Sequence, residues 1–165
     1  MATKKTVIFY ALAGAVAVLD QAAKFFARRF LSTDSVVTVV PGFFDLGLVY
    51  NKGGAFGVLP EWAPLFIIVA LVAIYAMVRL GSNVLTSKSL VIGLGLLMGG
   101  ALGNLIDRVV AGKVTDFIFL HLTIGGQVRA WPTFNIADIA VVLGAFFVFY
   151  HVYIVEKSRD TTHSA

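Results

Sequence analysis

The chain has 165 residues, 59% of them hydrophobic and only 13% charged, with a formal net charge of +4. Soluble domains run nearer about 45–50% apolar and about a quarter charged, so this composition excludes an ordinary soluble domain and points to one membrane-embedded unit over residues 1–165. The sequence contains no cysteine, which excludes disulfides, thiolate nucleophiles and Cys-based metal sites.

Crossing a bilayer takes about 20 apolar residues, and four stretches qualify. The first, Thr6–Phe26, follows a basic start at Lys4 and Lys5. A cleaved signal peptide is the rival reading. The stretch is long for the apolar part of one and runs on into further aromatics, so it reads as an uncleaved first span. Near its end Asp20 and Lys24 stand four apart, on one helix face in the favourable acid-first order. A structural ion pair is expected there, lowering the cost of both charges.

Ser35–Tyr50 is rich in Val and Phe around a Pro41-Gly42 turn. It reads as short β-strands lying at the membrane surface. The phrase Asn51-Lys52-Gly53-Gly54-Ala55-Phe56-Gly57 follows. Its glycines permit a tight turn with exposed backbone amides, and Asn51 beside them can hold a peptide backbone.

Pro64–Leu80 is a short second span, followed by a polar link from Gly81 to Ser89. Leu90–Val110 is the third, with Gly95, Gly99 and Gly103 at a spacing that predicts close helix packing. At its end Asn104 and Arg108 share a face and Asp107 neighbours both. That cluster is either an interfacial cap or the wall of a polar site. Ala111–Thr133 carries the apolar piece Phe117–Leu122 and a Gly125-Gly126 turn, and predicts a short helix or a hairpin. Asn135–Ile154 is the fourth span. Trp62 and Trp131 fall at span edges, as interfacial aromatics do.

Two acids stand out in this apolar chain. Asp116 falls just after the third span and Asp138 within the first turn of the fourth. Antiparallel helices bring those ends together. Two close carboxyls cannot easily both ionise, so such a pair shares a proton. It can then activate a water and protonate a leaving amine. Asp138 alone reads equally as a helix-start acid favoured by the dipole.

Other chemistries fare poorly. The serines lie in loops or ends, and none has a plausible His base nearby in sequence. His121, His151 and His163 are scattered, with His151 reading as an interfacial residue, and no zinc-binding His-Glu-x-x-His helix exists. Lys and Arg divide almost evenly between the two sides, so charge does not orient the chain, although the basic N-terminus favours a cytoplasmic start.

Five phrases together resemble the bacterial lipoprotein signal peptidase (signal peptidase II) family. They are Asp20-Gln21-Ala22-Ala23-Lys24, Asn51-Lys52-Gly53-Gly54-Ala55-Phe56, Gly99-Gly100-Ala101-Leu102-Gly103-Asn104-Leu105-Ile106-Asp107-Arg108, Val114-Thr115-Asp116-Phe117 and Phe134-Asn135-Ile136-Ala137-Asp138. The resemblance covers essentially the whole chain. It implies an aspartic endopeptidase of the inner membrane that cleaves diacylglyceryl-modified prolipoproteins just before the lipidated cysteine. It implies Asp116 and Asp138 as the catalytic pair. Asn51, Gly53, Asn104, Arg108, Asn135 and Ala137 are then the substrate-binding and supporting shell, and Asp20, Lys24 and Asp107 are structural. Both termini are expected in the cytoplasm and the pair near the outer face. The expected fold is an all-α integral membrane protein of four transmembrane helices, with a small extracytoplasmic β-rich segment between spans one and two. Expected partners are prolipoprotein substrates and membrane lipids. No cofactor, metal or nucleic acid is expected, and the chain is expected to be a monomer. The competing function is a small proton-coupled transporter, which would want its acids near mid-span.

Overall fold

The computed structural model describes residues 4–53, 63–85, 87–125 and 127–156. Gly54–Gly57, Trp62, Gly126 and His163, named above, lie outside the described residues. Among the described residues four helices are formed: α1 (Lys4–Phe30), α2 (Ala63–Val84), α3 (Lys88–Ala111) and α4 (Ile136–Tyr150), the last running into a π-helical turn, His151–Glu156. Four strands accompany them: β1 (Val37–Val40), β2 (Phe44–Asn51), β3 (Val114–Ile124) and β4 (Gln127–Ala130).

Among the described residues, α1, α3 and the helix from Ile136 to Tyr153 are long and apolar enough to cross a membrane; α2 contributes a shorter apolar stretch, Pro64–Arg79. Much of their apolar surface faces outward, as lipid-facing side chains do: Val18, Leu19, Val72 and Phe149 are all exposed. The link between α2 and α3 is shorter than its polar residues predict, because α2 continues to Val84. Ser87 then caps α3, its hydroxyl accepting the Leu90 N–H.

α3 is the central helix and packs against α1, α2 and α4. Its glycines make this possible. A Cβ on Gly99 would lie 2.8 Å from the Ala13 carbonyl, and one on Gly95 3.0 Å from Leu12, both on α1. Gly93 and Gly100 face α4 instead, where a Cβ would meet the Gly144 carbonyl at 3.0 Å and the Ala137 carbonyl at 2.5 Å. Small residues thus let two neighbours close on one helix.

The two long connections build one antiparallel sheet in the order β1-β2-β3-β4. The Pro41-Gly42 turn forms, with Gly42 at φ 74°. The stretch expected to be a short helix or hairpin is a hairpin, and β3 pairs along β2 as well as β4. The β content is therefore larger than an all-α class implies: the two loops share a sheet because each satisfies the other's backbone groups. Phe117 and Leu48 from the sheet pack on Ala27 of α1, joining sheet to bundle.

His151 departs from the interfacial reading. It is buried, and its Nδ1 lies 2.9 Å from Ser87 Oγ and 3.1 Å from Ser89 Oγ, tying α4 to the start of α3.

Candidate active site

The backbone brings Asp116 and Asp138 to one end of the bundle in three steps. Gly112, in the left-handed conformation at φ 67°, ends α3 and turns the chain into β3. Asp116 follows four residues later, opposite Val49 of β2. Phe134 then bridges back to Ile118 of β3, with Ile118 N–H donating to Phe134 O at 2.9 Å. That bridge sets Asn135, the N-cap of α4, beside Asp116.

Asn135 is fully buried and touches both acids. Its Nδ2 donates to Asp116 Oδ1 at 2.6 Å. Its Oδ1 accepts the Asp138 N–H at 3.1 Å, while Asp138 Oδ2 accepts the Asn135 N–H at 3.2 Å. This reciprocal pattern is a capping box. The helix-start reading of Asp138 therefore holds, and capping occupies only one of its carboxylate oxygens. Asp138 Oδ1 accepts from Asn104 Nδ2 at 2.8 Å.

Asp116 is 1% exposed. Its Oδ2 accepts from Asn51 Nδ2 at 3.1 Å, across the diagonal of the β2–β3 pair. Burial pushes its carboxyl up to about 6; the Asn51 bond opposes that, the Asp138 charge adds to it, and the Asn135 bond and Lys24 oppose it. Asp138, by contrast, is only half-buried.

A second layer of charge lies directly behind. Lys24 is fully buried, 2.8 Å from Asp20 Oδ2 and 3.4 Å from Asp107 Oδ2, and donates to Asn104 Oδ1 at 2.9 Å. Asn135 Nδ2 reaches the same Asn104 oxygen at 3.2 Å. Asp20 Oδ1 accepts the Ala137 N–H at 2.9 Å, fastening the first turn of α4 to α1. The ion pair read from the sequence is present, and its hydrogen bonds run on to both candidate acids. No buried side-chain nitrogen or oxygen among the described residues lacks a partner, as a buried polar network requires.

The remaining expected residues are Gly53, Arg108 and Ala137. Gly53 is buried and donates its N–H to Asn51 Oδ1 at 3.0 Å, which fixes the Asn51 amide. Arg108 donates to its own helix at Asn104 O, 3.4 Å, and its guanidinium lies 5.1 Å from the Phe66 ring centre. Ala137 is fully buried against α1 and α3. As it stands it supports the site from behind and presents no surface to a substrate. Three participants were not singled out from the sequence: Gln21, Arg28 and Thr115. Gln21 Nε2 donates to Gly103 O at 2.9 Å and to Asp107 Oδ1 at 3.2 Å. Arg28 follows Asp20 and Lys24 at the same four-residue step, a face signal visible in the sequence.

Among the described residues no group of three or more His, Asp or Glu side chains is placed to hold a metal ion. A cavity of about 250 Å³ lies at the β3–β4 hairpin, against Phe43, Leu120 and Trp131, away from the acids.

Residues 12–154 match the model of the signal peptidase (SPase) II family. The lipoprotein signal peptidase of Oleidesulfovibrio alaskensis is 42% identical over 151 residues, covering 88% of this chain and 94% of that protein. The lipoprotein signal peptidase of Rhodopseudomonas palustris is 43% identical over 146 residues, covering 84% and 88%. Among solved structures, a bacterial membrane enzyme determined by the in meso method at 2.3 Å resolution is similar with a TM-score of 0.78 and 28% identity, over 95% of this chain and 91% of that one.

Proposed function

The chain belongs to the signal peptidase II family, and from that membership we propose that it is an aspartic endopeptidase removing the signal peptide from diacylglyceryl-modified prolipoproteins just before the lipidated cysteine. Asp116 and Asp138 are its catalytic pair. The observation that carries this reading is the single buried amide, Asn135, which holds both carboxyl-bearing residues at one end of the bundle. The chain is a multi-pass inner-membrane protein with four spans, α2 having the shortest apolar stretch. Both termini lie in the cytoplasm and the pair lies near the outer face.

The two acids divide the work by environment. Asp116, buried and raised to about 6, is the better seat for the shared proton. Asp138, half-buried on the first turn of α4, takes the part of the base. Ionised Asp138 takes a proton from a water between the carboxyls, and the water oxygen attacks the scissile carbonyl carbon. Protonated Asp116 hydrogen-bonds the carbonyl oxygen as it gains charge. The proton then passes to the leaving amide nitrogen as the carbon–nitrogen bond breaks. The products are the signal peptide's carboxylate and the free amine of the lipidated cysteine.

Asn51, with its amide held by Gly53, and Arg108 are the groups placed to meet the substrate backbone. Asn104 and Asn135 orient the acids. Ala137, Asp20, Lys24 and Asp107 hold the ends of α1, α3 and α4 together. The sheet forms a surface cradle beside the pair. A proton-coupled carrier has less support, because Asp116 lies on a strand and not at mid-helix.

The test is turnover of a diacylglyceryl-modified prolipoprotein by the detergent-purified chain. Asp116→Asn and Asp138→Asn are each expected to lose roughly 10²–10⁴-fold in rate. A folded variant of either kind that cleaves at the parent rate refutes the pair. Equal cleavage of substrate without the lipid refutes the substrate class.

A further inference from the structure

Thr115 stands one residue before Asp116 and is gripped on two sides by groups that the proposed chemistry does not use. Its backbone N–H donates to Asp107 Oδ2 at 2.8 Å. Its hydroxyl accepts from Arg28 Nη1 at 2.9 Å. Arg28 also lies 3.5 Å from Asp107 Oδ1. We propose that Arg28 and Thr115 form a latch that positions the Asp116 carboxyl, Arg28 acting from the last turn of α1 through the Thr115 hydroxyl. This rests on the reading of Asp116 as one of the hydrolytic pair.

The need for a latch follows from the sheet. Around Asp116, β3 pairs with β2 on one edge, and that pairing shifts register between Leu46 and Val49. On its other edge the backbone bonds to Phe134 begin at Phe117, whose N–H donates to Phe134 O at 3.1 Å, and β4 pairs from His121 onward. Among the described residues, Val114, Thr115 and Asp116 thus pair along one edge of the strand only, with β2. Thr115 is β-branched and stiff about its first side-chain torsion. Fixing its hydroxyl therefore fixes the backbone beneath it. Successive strand side chains point to opposite faces, so anchoring Thr115 on the α1 side presents Asp116 to the other.

The latch is separable from the fold. Removing the hydroxyl leaves Arg28 partly exposed, able to turn to water. Asp107 keeps Lys24, Gln21 and the Thr115 N–H. Thr115 is buried, but valine keeps its shape and its backbone bond to Asp107, so the substitution removes the Arg28 bond alone.

The experiment measures kcat and KM separately on a diacylglyceryl-modified prolipoprotein for Thr115→Val, Thr115→Ser, Arg28→Met and the Arg28→Met/Thr115→Val double variant. Val and Met are each expected to lower kcat roughly 10–100-fold, the scale of a misplacement near 1 Å, with KM little changed. Ser keeps the hydroxyl and is expected to retain most of kcat. The double variant is expected to be no worse than the poorer single one, since both act through one bond. A parent kcat in Thr115→Val overturns the latch, as does a Ser variant as slow as Val, or single effects that multiply in the double. If Thr115→Val fails to fold, Arg28→Met alone decides. Asp116→Asn is run alongside. Should it retain turnover, the pair reading falls and takes the latch with it; should it be inactive while Thr115→Val is unimpaired, the latch alone falls.

Discussion

Asn135 and Asp138 cap each other: the Asn135 side chain takes the Asp138 N–H, and the Asp138 carboxylate takes the Asn135 N–H. The same Asn135 side chain donates to Asp116 at 2.6 Å. Starting a helix and aligning two acids are thus one arrangement, and they can be separated by substitution. Asn135→Ala is expected to lose about 0.5–2 kcal/mol of stability from the cap and roughly 10–100-fold in turnover from the freed Asp116. Asn135→Ser restores a capping oxygen but not the amide. Its unfolding midpoint is expected near that of the parent while turnover stays low. Recovery of both in the Ser variant refutes the dual role.

The raised carboxyl of Asp116 carries a sign that stability measurements can read. Its folded value of about 6 lies above the reference of 3.8, so the folded state holds this proton more tightly than the unfolded chain does. The resulting stabilisation is fully present below about 3.8 and is lost as pH rises through about 6. The shift corresponds to about 3 kcal/mol. Asp116→Asn has no such proton. Parent minus variant stability in detergent is therefore expected to decline from pH 4 to pH 7 and then level off. A flat difference contradicts the assignment of the raised group to Asp116.

Lys24 neutralises two acids that have no access to water. Lys24→Met leaves Asp20 and Asp107 buried against each other's charge and is expected to cost about 3–5 kcal/mol. Adding Asp20→Asn should return part of that loss. Unfolding midpoints of the single and double variants measure it, and a Lys24→Met chain as stable as its parent contradicts the buried cluster.

Two glycines make a matched pair of tests. A Cβ on Gly103 would stand 2.5 Å from Asp20 Oδ2 and 3.2 Å from the Ala137 Cβ. Gly103→Ala is expected to cost about 1–3 kcal/mol by overpacking and to loosen the Asp20–Ala137 bond. Nothing lies within 4 Å of a Cβ on Gly14 of α1, and Gly14→Ala is expected to be neutral or to stabilise by up to about 1 kcal/mol. Similar effects at the two sites contradict the close approach of α1 to α3.

The helices were legible because hydrocarbon length and glycine spacing are local signals. The Asp20–Lys24 pair was legible for the same reason. Phe117–Leu122 was ambiguous because it is a continuous apolar run without alternation, and only its pairing with β2, some 70 residues earlier, selects a strand. Thr115 and Arg28 were missed because their bond spans 87 residues of chain, and neither residue type announces a site. His151 looked interfacial because its two serine partners are supplied by the start of another helix.

Asp20 and Ala137 are joined across 117 residues. Every candidate group from Asp20 to Arg108 is synthesised before the first turn of α4 exists. The two acids therefore cannot meet in a nascent chain that lacks its last helix. The candidate site is therefore complete only once the last helix has been made and has docked against the first.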